Sequence, residues 1–470
     1  MRNRFGQIGL IIAGVLIGIA ISLNFSAVAQ RDGAQKLSPL PIQELRAFTE
    51  VFGRVKQDYV EPVEDKKLIT EAINGMLQGL DPHSAYLDQE AFKELQVGTQ
   101  GQFGGLGIEV GMEDGFVKVI SPIDDTPAAR AGVQAGDLIV KLDDASVKGM
   151  TLNDAVKQMR GRPNTQITLT IIRKGETNPI IITLTRAVIK IQSVKSKLLE
   201  PGYAYFRVSQ FQEASGELLA SQITTHFKAN PGPMKGIVLD LRNDPGGLLN
   251  VSVAISAMFL QPGALVVYTD GRAEDSKMKL NASPEHYLRG RGRDDYVSKL
   301  PPEIKNVPMV VLVNGGSASA SEIVAGALQD HNRAVVMGQQ TFGKGSVQTI
   351  LPLGNNTAIK LTTARYYTPS GQSIQAKGIT PDIVLETAAA EKAASLRVRE
   401  ADLSKRLESK GEKEGSSAAA AARPKIDFKP GPRPTEVDPK DLRPQPGEIV
   451  AKVDYELDQA ITFLKSRAKN

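Results

Sequence analysis

Apolar and polar residues follow three different patterns along the chain, and each pattern predicts a kind of secondary structure. Over residues 42–95 the apolar residues recur at helical spacing, which predicts amphipathic packing helices interrupted at Pro62. Over residues 98–186 short alternating segments predict strands with brief helices between them. Over residues 188–386 continuous runs rich in valine and isoleucine predict buried strands that alternate with helices. The chain is therefore expected to have a mixed α/β fold.

The composition changes after residue 387. An Ala/Glu/Lys/Arg-rich stretch to about residue 410 predicts helix, and the proline-rich stretch that follows predicts an extended linker. Val453, Leu457 and Leu464 then recur at helical spacing. This short amphipathic helix would be marginal alone, so we expect it to dock on its own core or on a neighbouring subunit.

The N-terminus has the layout of a secretory signal peptide. Arg2 and Arg4 precede an apolar run over residues 8–25, and Ala27-Val28-Ala29 forms a small-residue cleavage site before Gln30. The alternative is that the apolar run stays uncleaved as a membrane anchor. In both cases we expect the rest of the chain to lie outside the cytoplasm.

Composition and charge exclude several classes of function. The chain has 470 residues and no cysteine, which excludes thiolate catalysis, zinc–thiolate sites and disulfides. Its formal net charge of +5 is too small for this length to indicate a nucleic-acid partner. None of its four histidines stands in a catalytic context, and the segment around Ser319 does not fit the G-x-S-x-G pattern of serine esterases. No metal or cofactor is expected.

The sequence NGGSASASE at residues 314–322 joins a predicted strand to a predicted helix. Residues 309–313 are a β-branched apolar run, the glycines after Asn314 end it, and Ser319 or Ser321 can cap the helix that follows. A hydroxyl at such a turn is exposed and lies beside N–H groups that have no partner in the helix. The pattern is therefore typical of a nucleophile built next to an oxyanion site.

A single lysine stands among glycines shortly afterwards. Residues 338–344 fit the first part of a phosphate-binding loop, but the Ser or Thr that would hold magnesium is replaced by Gly345, and a strand-like segment follows. Apolar neighbours would desolvate Lys344, lower its pKa and let the neutral amine act as a general base. Gln348, at an even spacing, can orient the amine from the same face of a strand. The competing interpretation is a solvated turn lysine.

Residues 98–186 carry two glycine-containing patterns. Gly105, Leu106, Gly107 and Ile108 precede one predicted strand, and the sequence AGVQAGDLI occupies residues 131–139. Successive N–H groups of a glycine-rich loop can form a nest for a carboxylate, and the strand behind it can pair with an added peptide. Taken together, the two patterns resemble a PDZ domain. The presence of both disfavours the alternative that the glycines only form turns.

The complete set of motifs resembles one family, the carboxyl-terminal processing peptidases, also called tail-specific proteases. The match extends over about residues 40–386 and includes the inserted PDZ domain. The matching motifs are LDPHSAY at residues 80–86, DLRNDPGG at 240–247, NGGSASASEIVAGALQD at 314–330, TFGKGSVQ at 341–348, YTPSG at 367–371 and GITPD at 378–382.

The resemblance implies a ClpP/crotonase-like serine protease core with an inserted PDZ domain and helical N- and C-terminal arms. We therefore divide the chain into the following segments: a signal peptide (1–29), an N-terminal helical region (40–95), the PDZ domain (96–187), the protease core (188–386), a helical and then proline-rich linker (387–450) and a C-terminal helix (451–468).

The resemblance also implies a role for individual residues. Ser319 aligns with the nucleophile, Lys344 with the general base and Gln348 with the residue that orients the lysine. The backbone N–H groups of Gly247 and Ala320 align with the oxyanion hole. Ser317 and Ser321 are then expected to make structural hydrogen bonds, and the loop at residues 105–108 to bind the substrate's carboxyl terminus.

Three features depart from the family pattern. Asp244 stands where many relatives have Asn, and residues 275–306 form a longer polar segment that we interpret as a surface insertion. The proline-rich tail also differs.

The function implied is a periplasmic serine endopeptidase that recognises apolar protein C-termini through its PDZ domain and cleaves the tail. The alternatives are a catalytically silent PDZ scaffold that only binds tails, and a protease anchored in the inner membrane that faces the periplasm. Partners implied by the resemblance are protein substrates, a second copy of the chain bound through the terminal helices, and a helical-repeat lipoprotein adaptor.

Overall fold

The structure is a computed structural model, and it describes most of the chain after residue 39. The described residues are 40–123, 126–134, 136–190, 192–290, 292, 294–385, 399–409, 426–432, 434, 437–438, 441–442, 444 and 448–467. The predicted signal peptide and most of the predicted helix after residue 387 lie outside them. Among the described helices, none has the length and hydrophobicity that a membrane span requires.

The chain divides into two compact units, residues 1–72 and residues 73–470. The first contains α1 (Ile42–Asp58) and the start of α2 (Asp65–Gln78). No residue of α1 is buried, and Ile42, Leu45 and Phe48 along its apolar face are exposed. Within its own unit, α1 therefore leaves its apolar face uncovered.

The second unit contains a small β-domain that follows β1 (Ala85–Leu87) and α3 (Gln89–Gln100). Its elements are β2 (Gln102–Gly105), β3 (Ile108–Glu113), β4 (Phe116–Pro122), α4 (Pro127–Arg130), β5 (Leu138–Leu142), β6 (Ala145–Ser146), α5 (Leu152–Met159), β7 (Gln166–Ile172), β8 (Ile180–Thr185) and β9 (Ala187–Lys190). The main sheet has the order β3-β4-β5-β7-β8, and β2 pairs with β9. Its core is built from the inward positions of these strands, such as Val117, Ile139 and Leu169. Because β3 is at the edge of the sheet, it can accept an additional strand.

The larger domain is built on two sheets with helices around them. Its elements are β10 (Val194–Glu200), β11 (Tyr203–Val208), α6 (Ser215–Ala229), β12 (Gly236–Asp240), α7 (Leu249–Phe259), β13 (Leu265–Gly271), β14 (Lys279–Asn281), α8 (Pro284–Tyr287), β15 (Met309–Val313), α9 (Ala320–Asp330), β16 (Val335–Gly338), β17 (Ser346–Pro352), β18 (Ala358–Tyr367), β19 (Ile383–Val384) and α10 (Tyr455–Arg467). One sheet has the order β10-β11-β12-β15-β16-β19, with every pair parallel except β10 and β11. The other sheet is antiparallel and contains β1, β18, β13, β14 and β17.

The central strands β12 and β15 are continuously apolar because both faces of their sheet are covered. Ile237, Leu239 and Val311 point into the main core with the helices α6, α7 and α9. The alternate residues Val238 and Val310 point to the other face, which α10 covers. Parallel strands buried on both faces need apolar residues at every position, which the runs at 236–239 and 309–313 provide.

The C-terminal helix α10 docks on its own protease core. Leu457, Phe463 and Leu464 are buried against the sheet. Burying side chains of this size contributes roughly 1.5–3 kcal/mol each, which offsets the low stability of a short helix. The Arg242 guanidinium, just after β12, also donates to Asp454 Oδ2 (2.7 Å) and Glu456 Oε2 (2.7 Å). This decides the alternative that the sequence left open, in favour of the helix's own core.

Two segments differ from their sequence-based expectations. Residues 275–306 are not only a surface insertion, because β14 extends the second sheet and Tyr287, Leu300 and Ile304 lie in the main core. Residues 399–409 contain one 3-10 turn, Glu400–Asp402, where helix was expected. In both segments a few apolar or buried polar side chains contact distant parts of the chain, and local periodicity does not report such contacts.

Candidate active site

Three loops that follow neighbouring parallel strands meet at one edge of the central sheet. Residues 241–247 follow β12, residues 314–319 follow β15, and residues 339–345 follow β16. These strands are adjacent in the order β12-β15-β16. Because the carboxyl ends of parallel strands lie at the same edge, the sheet brings the three sequence motifs together, at the position where open α/β sheets bind ligands.

Ser319 occupies a strained turn at the start of α9. It is the N-cap residue, with φ 56° and ψ −113°. A positive φ is rare for a residue with a Cβ atom, and such strain persists only where the surrounding structure enforces it. Ser319 is half-buried, whereas the flanking Ser317 and Ser321 are fully buried. Of the three serines in the motif, Ser319 is therefore the one that a substrate can reach.

The other two serines join the nucleophile turn to the loop after β12. The Ser317 hydroxyl donates to the carbonyl oxygen of Leu241 (2.7 Å), and the Ser321 hydroxyl donates to the carbonyl oxygen of Asp244 (2.9 Å). The Ala318 N–H donates to the same Asp244 oxygen (3.0 Å). The expectation that Ser317 and Ser321 make structural hydrogen bonds is confirmed.

Two main-chain donors are left open beside Ser319. Within the described part of the chain, neither the Gly247 N–H nor the Ala320 N–H donates a hydrogen bond. Gly247 is exposed and has φ 148°, and a Cβ atom there would lie 2.2 Å from the Phe211 carbonyl oxygen. A Cβ atom on Gly246 would lie 2.8 Å from both Ala320 N and Ser319 Cβ, so the two loops are in close contact. Paired free N–H groups next to a hydroxyl have the arrangement of an oxyanion hole.

The Glu322 carboxylate connects the nucleophile turn to the lysine loop. Its Oε2 accepts from the N–H groups of Ser319 (2.8 Å) and Lys344 (3.0 Å). Its Oε1 accepts from the Gly343 N–H (2.8 Å) and from the Thr341 hydroxyl. Burial raises the pKa of Glu322 to about 7, although these four hydrogen bonds favour the ionised form. One buried side chain thus fixes the main chain of Ser319 and Lys344 relative to each other.

The Lys344 side chain is in an environment that disfavours its charge. Burial lowers the pKa of Lys344, and the nearby charge of Lys360 lowers it further. The carboxylates of Glu400, Glu322 and Asp81 act in the opposite direction, with less effect than burial. This environment differs from that of a solvated turn lysine, and the direction of the pKa shift suits a lysine that must lose its proton to act as a base.

Tyr366 provides a second link between the two halves of the site. Its hydroxyl donates to the Lys344 carbonyl oxygen, and the Ser319 side chain lies close enough to influence its pKa. Burial raises the pKa of Tyr366 well above its ordinary value, so the phenol stays neutral. It can therefore donate a hydrogen bond but cannot act as the base near neutral pH.

Gln348 lies on β17, close to the motif at residues 80–86. Its Nε2 donates to the hydroxyls of Ser346 (3.0 Å) and Thr362 (3.1 Å), and the Thr362 hydroxyl donates to Asp81 Oδ1 (3.0 Å). Among the described residues, no hydrogen bond joins the Gln348 side chain to the Lys344 amine. The orienting role of Gln348 stays a prediction.

A short segment at residues 399–409 covers the loop that carries Lys344 (residues 339–345). The Glu400 N–H donates to the Phe342 carbonyl oxygen (3.2 Å), and the buried Glu400 carboxylate contacts His83 Nε2 (2.8 Å). Gln375 Nε2 donates to the same carboxylate (2.8 Å), while Gln375 Oε1 accepts from the Gly345 N–H (3.0 Å). The segment therefore supplies a negative charge near Lys344 and an indirect restraint on its loop.

The small β-domain places the predicted carboxylate-binding loop at the start of its edge strand. Gly105 ends β2, Ile108 begins β3, and the buried Leu106 lies between them. Gly107 has φ 78°, and a Cβ atom there would lie 2.2 Å from the Thr126 side chain. The loop is therefore restricted to glycine at this position and presents its backbone beside an open strand edge.

Comparison with known proteins connects this geometry to a family. Residues 202–385 match Peptidase family S41, residues 104–184 match the PDZ domain, and residues 20–91 match the activating protease CtpB N-terminal domain. The carboxy-terminal-processing protease of Bartonella bacilliformis is 48% identical over 386 residues, which cover 82% of this chain and 85% of the relative. The chain belongs to the S41 carboxy-terminal processing proteases.

Further relatives carry related names. The carboxy-terminal processing protease CtpA of Bacillus subtilis is 32% identical over 387 residues, covering 82% of this chain and 78% of the relative. The solved photosystem II D1 C-terminal processing protease is 30% identical, covers 72% of this chain and 86% of that chain, and has a TM-score of 0.40. The chain is thus a serine-type processing protease with a PDZ domain, and the predicted fold class, a mixed α/β core with an inserted PDZ domain and helical arms, is confirmed.

Several residues that organise the site were not identified from the sequence. Glu322 lies within the nucleophile motif, and its position three residues after a Ser at the start of a helix is a capping-box signal. Asp81 and His83 also lie within a matching motif, but their partners are far away in the chain. Glu400 lies beyond residue 385, where the match to the S41 family ends. No sequence signal identifies it, because its role follows from burial against a distant loop.

Proposed function

We propose that this protease uses Ser319 as its nucleophile and Lys344 as its general base. It acts in the periplasm on protein substrates whose apolar C-termini it captures with the PDZ loop at residues 105–108. The observation that carries the proposal is the meeting of the three loops at the ends of β12, β15 and β16. What supports the proposal is that these loops include an accessible serine, a lysine with a lowered pKa and two open N–H donors, and that Glu322 joins the main chain of the serine to that of the lysine.

In the acylation step, Ser319 Oγ attacks the carbonyl carbon of the scissile peptide bond, and its proton passes to Lys344 Nζ. The carbonyl oxygen becomes negative and accepts hydrogen bonds from the Gly247 and Ala320 N–H groups. Lys344 then gives the proton to the leaving amine as the C–N bond breaks, which leaves an ester on Ser319.

In the deacylation step, Lys344 removes a proton from a water molecule that attacks the ester carbonyl carbon. The same two N–H groups bind the second oxyanion. The proton returns to Ser319 Oγ as the C–O bond breaks, which releases the new carboxyl terminus and restores the serine. The amine alternates between base and acid, so it needs a pKa that lies closer to the working pH than that of an ordinary lysine.

Recognition of a free C-terminus is tested with two versions of one protein substrate, which differ only in whether the terminal carboxylate is free or amidated. We expect kcat/KM to fall about 10- to 100-fold on amidation, because hydrogen bonds to a charged carboxylate are lost. The Gly107→Val variant should cleave both versions equally slowly, since its side chain would clash with Thr126. Equal cleavage of the two versions by the unaltered protease would contradict tail recognition.

A matched control is available in the same domain. Gly115 also has a positive φ (79°), but a Cβ atom there would meet nothing within 4 Å. Gly115→Ala should therefore keep the preference for the free carboxylate. Retained cleavage of the amidated substrate by Gly107→Val would show that the protease core of that variant is intact.

The periplasmic location rests on the residues before Gln30. An arginine-containing start, an apolar run and the Ala27-Val28-Ala29 site are typical of a cleaved signal peptide. N-terminal sequencing of the protein purified from cells should give Gln30 as the first residue. Recovery of the intact N-terminus in the membrane fraction would instead support the inner-membrane anchor.

Self-association and binding of a helical-repeat lipoprotein adaptor stay predictions of the family resemblance. The exposed apolar side chains of α1 are the surface that self-association through this arm would bury.

A further inference from the structure

The loop after β12 contains a buried carboxyl group that the mechanism above does not use. Asp244 has no solvent exposure. Its Oδ1 accepts a hydrogen bond from the Gly246 N–H (2.8 Å), while its buried Oδ2 has no hydrogen-bond partner among the described residues. An ionised carboxylate would thus have one oxygen without compensation, which is costly in a protein interior.

Within the part of the chain that the structure describes, no cation forms an ion pair with Asp244. The charge of Arg207, on β11, lowers the pKa of Asp244, but its guanidinium donates to Asp240 Oδ2 (3.2 Å) and to the Arg242 carbonyl oxygen (3.1 Å) instead. Asp240, at the end of β12, is ionised and disfavours a second negative charge nearby. Ser321, on α9, adds a hydroxyl close to the carboxyl group, but burial has the largest effect and raises the pKa of Asp244 to about 7.

The main chain of Asp244 belongs to the site itself. Its carbonyl oxygen accepts from the Ala318 N–H (3.0 Å) and from the Ser321 hydroxyl, on either side of the nucleophile. Its side chain holds the N–H of Gly246, the residue directly before the predicted oxyanion donor Gly247. A charge on this side chain would therefore lie in the loop that has to stabilise a negative oxygen.

We propose that Asp244 is a positioning residue of the oxyanion hole and that it works as a neutral acid, so that its ionisation turns the protease off. The neutral carboxyl keeps the Gly246 N–H bond and leaves the oxyanion as the only negative charge that the loop has to accommodate. The ionised form would repel the oxyanion and draw water or a cation into the loop. The inference rests on the Ser319–Lys344 mechanism proposed above.

The test is the rate at which Ser319 is labelled by a serine-directed phosphonate, measured from pH 5 to 10. In the unaltered protease we expect the rate to rise as Lys344 loses its proton and then to fall about tenfold for each pH unit above the second midpoint. The asparagine side chain has the same shape as aspartate and cannot ionise. The pH profile of the labelling rate of Asp244→Asn should therefore keep the rising limb and lose the falling one. A falling limb that persists in Asp244→Asn would overturn the proposal and assign that limb to another group, such as Glu322.

Glu400→Gln serves as the matched control, because it removes a different buried carboxylate near the site. The charge of Glu400 raises the pKa of Lys344, so its removal should move the rising limb to lower pH and leave the falling limb in place. Loss of the falling limb in Glu400→Gln would also count against Asp244. If the unaltered protease is not labelled at any pH, the proposed Ser–Lys mechanism fails, which is a different result from a failure of this inference.

Thermal unfolding gives a second readout that does not depend on activity. Asp244 has an ordinary pKa of 3.8 and a folded-state pKa of about 7, so between these values the folded protein holds a proton that the unfolded chain releases. This contribution to stability is complete at a pH below 3.8, and it is lost as the pH rises through the folded-state pKa of about 7. The melting temperature of Asp244→Asn relative to the unaltered protein should therefore rise from pH 5 to pH 8, and a constant difference would contradict the proposed titration.

Discussion

Replacing Lys344 with methionine is expected to lower kcat/KM for a tail substrate by about 10⁴-fold or more, since general-base assistance and proton delivery to the leaving amine are both lost. Methionine has a similar length and is apolar, so it suits the buried position without leaving a cavity. The Lys344 main-chain N–H would still donate to Glu322. The loss would therefore report the amine and not the fold of the loop.

Ser319→Ala should show a loss of the same size, and the double variant should be no worse than either single one. Residues that act in the same step are non-additive, because removing one makes the other useless. Steady-state cleavage measures the loss of activity in each variant. Phosphonate labelling of Ser319 measures how far Lys344→Met slows the attack by the serine. If Lys344→Met keeps more than about a tenth of the unaltered activity, another group is the base.

Lys360→Met is the matched control for the charge. The ammonium of Lys360 lowers the pKa of Lys344, so its removal should raise that pKa and move the rising limb of the pH profile to higher pH. We expect the maximal rate to be retained. A loss of activity in Lys360→Met comparable to that in Lys344→Met would show that the two lysines act through their combined positive charge.

Replacing Glu322 with alanine is expected to cost about 3–6 kcal/mol of unfolding free energy, because three buried or partly buried N–H groups would lose their acceptor at about 1–2 kcal/mol each. It should also lower kcat/KM by about 10²-fold or more, since small displacements of reacting groups have effects of that size. Both losses have one cause. The carboxylate holds the N–H groups of Ser319, Gly343 and Lys344 at once.

The losses of stability and activity should increase with the number of hydrogen-bond acceptors that a substitution at Glu322 removes. Glu322→Gln keeps one oxygen and should lose less stability and activity than Glu322→Ala. Thr341→Val removes one hydroxyl that donates to Glu322 and accepts from the Ile379 N–H (2.7 Å), without touching Ser319 or Lys344. It should be folded and only mildly impaired. If Glu322→Ala unfolds at the same denaturant concentration as the unaltered protein, the carboxylate does not hold these loops together.

Much of the site could be predicted because its parts are local. The apolar runs at 236–239 and 309–313 are strands, and both of the loops that follow contain a pair of glycines. A serine at a strand-to-helix junction and a lysine among glycines are features of a few consecutive residues, so their chemistry could be proposed before any fold was known. The resemblance to the family then assigned the serine and the lysine to the same site.

The remaining features depend on which distant segments contact each other. Periodicity shows that a side of an element is apolar, but it does not show what covers that side. The same kind of pattern therefore described α1, which is exposed, and α10, which packs on the sheet.

Ionisable groups depend on distant contacts even more strongly. Glu400 and Asp244 look like ordinary carboxylates in the sequence, and the proton affinity of Asp244 changes because packing removes water from it and leaves one oxygen without a donor. The short motifs thus contain the nucleophile and the candidate base, since these are defined by neighbouring residues. Their protonation states and their relative positions follow from burial and long-range hydrogen bonds, which exist only once the chain is folded.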